Sequence, residues 1–203
     1  IADYGVPPLR VVVVEPGTEP APVARGSGTS RVELLSVGTF NPGKGYEELL
    51  NALTAVPSRD WHLTCAGSLA RHPPTVARIR ALVGERQLDK HVSLVGELSA
   101  DGLEQRYNCT DVFVLATLRE TYGMAVAEAL AHGLPVVSTS TGAIPALVGT
   151  PPLAVPPRPP HPAVGRPRIW QAVVLFVAFA GLAGGSCAGF FSRLSGHGRT
   201  GDL

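Results

Sequence analysis

Short apolar, β-branched runs alternate with amphipathic stretches along this chain. The runs are RVVVVEPG (10–17), VELLSVG (32–38), HLTCAG (62–67), VSLVG (92–96), VFVLA (112–116) and PVVST (135–139). Near-continuous apolar runs of this length suit strands that are buried on both faces. Between them the apolar spacing changes to that of helices. In GYEELLNALTAV (45–56), Leu49, Leu50, Leu53 and Val56 share one face, and in PTVARIRALVGERQ (74–87) Val76, Ile79, Leu82 and Val83 do so, with Pro74 suited to a first turn. ADGLEQRYNC (100–109) is a shorter helix, and GMAVAEALAHG (123–133) closes on Gly133 as a helix C-terminus would. Strand and helix alternate from about residue 30 to 150, which predicts an α/β domain with a doubly wound, Rossmann-like parallel sheet. Ligands of such sheets bind at the carboxyl ends of the strands, so the loops after strands are where chemistry is expected.

Beyond residue 150 the pattern is lost. TPPLAVPPRPPHPAVGRPR is proline-rich and reads as an extended linker. IWQAVVLFVAFAGLAGGSCAGFF (169–191) carries no charge and has the length of a membrane span, since about 20 apolar residues cross a bilayer. Gly181, Gly185 and Gly189 add small-xxx-small spacing. Yet no Asp or Glu occurs from Ala129 to Gly201, whereas acids are scattered through the preceding domain. That asymmetry favours a tail foreign to the domain, as an out-of-frame reading of coding sequence would be, over a true membrane anchor.

Composition narrows the classes. The net charge of +1 and the absence of a basic run give no case for nucleic-acid binding. The three cysteines, Cys65, Cys109 and Cys187, form no CxxC pair and are odd in number, which argues for a reducing, cytoplasmic setting and against a disulfide framework. The chain begins at Ile1 and its sole Met is Met124, as in an internal piece of a longer protein.

Two loops carry candidate chemistry. SVGTFNPGKGYEELL runs from a strand through a Gly-rich turn and Lys44 into a helix, the layout of an anion site. Gly38-x4-Gly43-Lys44 approaches a P-loop, but that motif needs Ser or Thr after the lysine to hold magnesium, and here the residue is Gly45. No strand ends in a magnesium-holding Asp either, because Asp111 begins its strand. The plain alternative is a tight turn at Pro42-Gly43 with Lys44 in solvent. In the second loop, TLRETYGMAVAEALAHG, Glu120 follows a strand, Gly123, Met124 and Ala125 open a helix with free N–H groups, and Glu128 lies within it. Ala125 and Ala131 flank Glu128 and leave room beside its carboxylate, which could accept from both hydroxyls of a ribose. The bland reading makes Glu120 a helix-dipole partner and puts Glu128 in water. His132 reads as decorating a helix end, and His62 as a structural residue at a strand start.

Residues 34–149 resemble the C-terminal, donor-binding domain of the retaining glycosyltransferases of family four, which have the GT-B fold. The segments that carry the resemblance are LLSVGTFNPGKGYEELLNAL, LTCAGS, VSLVGELS and YNCTDVFVLATLRETYGMAVAEALAHGLPVVSTSTGAIPALVG, with Glu120-x7-Glu128 as the E-x7-E signature. The resemblance implies that Glu120 contacts hydroxyls of the transferred sugar and that Glu128 binds the ribose. It further implies that the backbone of Gly123, Met124 and Ala125 faces sugar and diphosphate, and that Lys44 stabilises the diphosphate leaving group. Lys44 and Glu120 are thus the catalytic candidates, and Gly38, Thr39, Lys44, Glu120, Gly123, Met124, Ala125 and Glu128 the donor-binding ones. Thr39 departs from the family, many of whose members carry Arg there, so one cation stands where two are usual. The loop VGELS (95–99) lies where such enzymes hold the base.

The expected organisation is a lead-in and linker from a preceding N-terminal domain (1–30), a nucleotide-sugar-binding domain (31–156) and a Pro-rich, apolar tail (157–203). The expected parent reaction transfers a sugar from a nucleoside diphosphate sugar to an acceptor hydroxyl with retention of configuration. No cofactor or metal is expected. A glycan or lipid-linked acceptor would be held by the N-terminal domain, without which the chain is expected to be inactive. Membrane contact would run through 169–191. The alternative is a nucleotide-sugar-binding module or inactive pseudoenzyme attached to a membrane segment.

Overall fold

A computed structural model describes residues 14–148, together with 5, 7 and 10–12. The linker and the apolar run 169–191 lie outside the described residues, as does Cys187. Among the described residues, five parallel strands, β1 (Val32–Val37), β2 (Trp61–Ala66), β3 (Val92–Gly96), β4 (Val112–Leu115) and β5 (Val136–Ser138), form one sheet in the order β3-β2-β1-β4-β5. Between and after them lie α1 (Tyr46–Thr54), α2 (Pro73–Glu85), α3 (Ala100–Asn108), α4 (Met124–Ala131) and α5 (Ile144–Leu147). Leu34 pairs with Leu63 on one side and with Val112 on the other, so β1 is the centre of the sheet.

Burial on both faces follows from the strand period of two. Leu34, Val112 and Val114 pack with Leu50 of α1 and Ile79 of α2. The next residues along, Leu35, Phe113 and Leu115, pack on the opposite face with Tyr107 of α3, Val126 of α4 and Ile144 of α5. The expected doubly wound architecture is therefore present, with α1 and α2 on one side and α3 to α5 on the other. Helix ends follow the expected chemistry. Pro73 and Pro74 open α2, and Gly133, at φ 69°, follows the C-cap His132 of α4.

The run 10–17 is not a strand among its described residues. Val12 and Val14 are each 83% exposed, and the segment joins no ladder. A β-branched run becomes a strand only beside a partner edge, and the sheet already ends at β3 and β5. Further along, residues 22–27 run without regular secondary structure past the ends of α3 and α4. The N–H of Ala24 donates to the His132 carbonyl at 2.8 Å, and those of Arg25 and Gly26 to the Asn108 carbonyl at 3.0 and 3.1 Å. These bonds satisfy carbonyls that a helix leaves open at its C-terminus.

Strand order decides where a ligand can lie. From β1 the chain winds outward through β2 to β3, then returns to place β4 on the other side of β1. The loops after β1 and β4 consequently depart toward opposite faces and leave a crevice between them, the switch point of a doubly wound sheet.

Candidate functional site

The loop after β1 enters the crevice through Gly38 and Thr39, makes a short 3₁₀ turn at Pro42–Lys44, and reaches Gly45, the N-cap of α1. Gly45 has φ 62°, and a Cβ there would collide with the Ala116 carbonyl oxygen. Only glycine lets α1 start this close to the end of β4. The loop after β4 is tied to the same turn, because the Leu118 N–H donates to the Gly43 carbonyl at 2.8 Å and the Thr117 hydroxyl donates to it at 3.1 Å.

The two loops thereby bring their charged residues together. Lys44 Nζ lies 2.6 Å from Glu120 Oε2, with side chains only 22% and 11% exposed. The Lys44 stem passes over Gly38, where a Cβ would sit 3.6 Å from Lys44 Cε. Tyr46 supports this loop from below by donating its hydroxyl to the Gly38 carbonyl at 3.0 Å. Glu120 is fixed from the other side by Gly142, at φ 58°, where any side chain would strike the Glu120 carbonyl. Gly123, at φ 97°, caps α4 beside Glu120, and the first turn bonds of that helix run from Val126 and Ala127 back to the Gly123 carbonyl. The N–H groups of Met124 and Ala125 precede those bonds and sit at the positive end of the helix. A cation, a carboxylate and a helix N-terminus therefore converge across the switch point. The solvated surface lysine weighed as the plain alternative is not what the structure contains.

Glu128 has a partner on another element. Its Oε2 accepts the Tyr107 hydroxyl of α3 at 2.9 Å, and the residue is half-buried rather than wholly in water. Burial, reinforced by the Glu128 charge and this hydrogen bond, pushes the Tyr107 phenol well above its usual pKa. The Tyr107 ring stacks on His132, with centroids 4.6 Å apart. His132 does end α4, but it is 4% exposed rather than decorating the surface, with Nδ1 3.1 Å from the Pro22 carbonyl and Nε2 3.3 Å from Glu104. Its ring packing and partners are those of a clamp on the 22–27 segment. His62 is structural as expected, bridging Glu33 at 3.2 Å and Ser93 at 3.0 Å between neighbouring strands. Cys65 is buried, and burial raises its thiol pKa strongly, while Cys109 is exposed.

A cavity of about 360 Å³ opens at the carboxyl ends of β1, β2 and β3. Gly38 and Thr39 line it from the first loop, Ser68 and Arg71 from the second, and Glu97 and Leu98 from the third. Sequence reasoning reached Gly38, Thr39 and the VGELS loop but not Tyr107, Ser68 or Arg71. Nothing in the local pattern around Tyr107 distinguishes a hydroxyl aimed at α4 from an ordinary core tyrosine, because the partner lies on another element.

Solved structures share this architecture. The lipopolysaccharide outer core galactosyltransferase WaaB superposes with a TM-score of 0.59 at 19% identity, over 74% of this chain and 42% of that one. Anabaena HepE in complex with UDP-glucose superposes with a TM-score of 0.55 at 21% identity, over 60% of this chain and 33% of that one. The fold is that of one Rossmann-like half of the GT-B architecture. The sequence pattern of the family described as Glycosyl transferases group 1 matches residues 31–164, more than half of the chain, and the chain belongs to that family. A curated relative, the D-inositol 3-phosphate glycosyltransferase of Corynebacterium efficiens, is 27% identical over an alignment that takes in 71% of this chain. The matched region spans only 38% of that relative's length.

Proposed function

We propose that residues 31–156 are the donor-binding half of a retaining glycosyltransferase that takes a nucleoside diphosphate sugar. The observation that carries this reading is the meeting of Lys44 and Glu120 at 2.6 Å across the switch point, beside the N-terminus of α4. An anionic diphosphate fits a lysine and free backbone amides. A sugar attached to it fits a carboxylate able to accept from hydroxyls. Glu128, one helical turn and more into α4, would receive the ribose, with Tyr107 holding its carboxylate in place. The cavity lined by Thr39, Arg71 and Leu98 would receive the base. Family membership and the UDP-glucose complex of a protein with this fold support the same class of donor.

In this reading Lys44 and the α4 amides stabilise charge as it develops on the departing diphosphate, and Glu120 orients the sugar. The diphosphate itself would help activate the acceptor hydroxyl, so no protein nucleophile is required. Acceptor contacts would come from a second domain facing the crevice. The test is calorimetric titration with UDP, GDP and their sugar conjugates, beside Glu128→Ala. Binding of one nucleotide that is lost in the variant supports the assignment. No binding by the folded chain, or equal binding by both proteins, overturns it.

A further inference from the structure

We propose that the Lys44–Glu120 pair makes this site discriminate between a nucleoside diphosphate that still carries its sugar and one that has lost it. The inference rests on the donor reading given above. It concerns what the pair does to the relative affinities of donor and spent nucleotide.

Lys44 is already neutralised within the protein. Its ammonium is 2.6 Å from Glu120, and neither side chain is exposed enough for solvent to screen the contact fully. A diphosphate that recruits Lys44 either draws it away from Glu120 or shares its ammonium, which has three donors, and sharing sets two anions against one cation. Either way the carboxylate, 11% exposed, loses part or all of its cation, which is costly unless new donors arrive. Glu120 cannot retreat with its backbone, because Gly142 packs directly against its carbonyl and the loop before it is tied to Gly43 through Thr117 and Leu118.

What replaces the lysine depends on the ligand. A sugar on the diphosphate brings hydroxyl donors to Glu120, so the exchange is balanced. A bare nucleoside diphosphate brings no donor, and its terminal phosphate sets additional negative charge near the same carboxylate. Glu120 therefore opposes the spent nucleotide and tolerates the donor. Once the sugar has gone, the Lys44–Glu120 pair re-forms as the nucleotide leaves.

The experiment is titration of the full chain and of Glu120→Gln with UDP, UDP-glucose, GDP, GDP-mannose and inorganic pyrophosphate at fixed ionic strength. The amide is neutral and can donate to a phosphate oxygen. Glu120→Gln is expected to bind pyrophosphate and the bare nucleotide about tenfold more tightly, the effect of one released charge-assisted hydrogen bond. Its affinity for the sugar conjugate should change less, so the preference for the conjugate shrinks. Glu120→Ala, checked for folding by circular dichroism, should move the same way. If the wild type binds nucleotide and neither variant gains affinity for pyrophosphate or the bare nucleotide, the discrimination fails while the donor reading stands. If the variants gain pyrophosphate but no protein binds any nucleotide, the donor reading fails and takes the discrimination with it.

Discussion

The Tyr107 hydroxyl donates to Glu128 Oε2 at 2.9 Å, linking α3, which precedes β4, to α4, which follows it. The same ring packs with Phe113 of β4, at 6.3 Å, and with His132, at 4.6 Å. Glu128 is thus oriented by a side chain whose own position is set by core packing.

Tyr107→Phe keeps that packing and removes only the hydroxyl. Stability should fall by about 1.5–3 kcal/mol, the contribution of a hydrogen bond to a charged acceptor. Nucleotide affinity should fall several-fold, because Glu128 loses its fixed orientation. Urea unfolding and titration read the two effects separately. An unchanged affinity would show that the hydroxyl does not position Glu128 for a ligand.

Gly45→Ala should be among the more damaging single-methyl additions in the chain. The position combines φ 62° with direct contact between the added Cβ and the Ala116 carbonyl oxygen. Left-handed backbone and overpacking each cost roughly 1–3 kcal/mol, and relief would require α1 to move away from β4. Lys44 moves with α1, so nucleotide binding should weaken as thermal stability drops.

Alkaline lability follows from three buried acids. Burial raises the pKa of Tyr46, Tyr107 and Cys65 in the folded protein, from 10.0 for the phenols and 9.0 for the thiol. Each group stays protonated when folded and loses its proton when unfolded. Above about pH 9 to 10 the unfolded chain therefore binds fewer protons, and stability falls as pH rises, by roughly 1.4 kcal/mol per pH unit per group once fully engaged. Urea midpoints measured from pH 8 to 11 should decline, and Cys65→Ala should delay the onset. A flat profile would show that the three groups titrate alike in both states.

Asp111→Ala should detach the segment that precedes β1. The Asp111 carboxylate accepts from the Ser27 N–H at 2.9 Å, the Ser27 hydroxyl at 2.7 Å and the Glu33 N–H at 2.8 Å. Losing these charge-assisted bonds should cost about 2–3 kcal/mol. Proteolysis between residues 14 and 30 should quicken before the sheet itself unfolds, and an unchanged cleavage rate there would contradict this.

Most of the fold was legible because its signals are local. The strand runs that became β1 to β5 announced themselves by composition and by the Gly or small polar residues after them. The helical spacing of Leu49, Leu50 and Leu53 named the face of α1 that is buried. RVVVVEPG shows the limit of that reasoning, since it has strand composition but no neighbour to pair with. His132 shows another, because its burial depends on residues 22–27 crossing the end of α4.

The sequence by itself determined that strands and helices alternate, that both faces of the sheet are covered, and that Lys44 and Glu120 each follow a strand. Those properties rest on periodicities of two and 3.6 residues, which act over a few neighbours. Only the tertiary structure decided that Lys44 meets Glu120, 76 positions away, and that the Tyr107 hydroxyl meets Glu128 Oε2. The Lys44–Glu120 contact exists because β4 inserts beside β1 instead of continuing past β3. Strand order is settled by the packing of the whole domain, and no local pattern carries it.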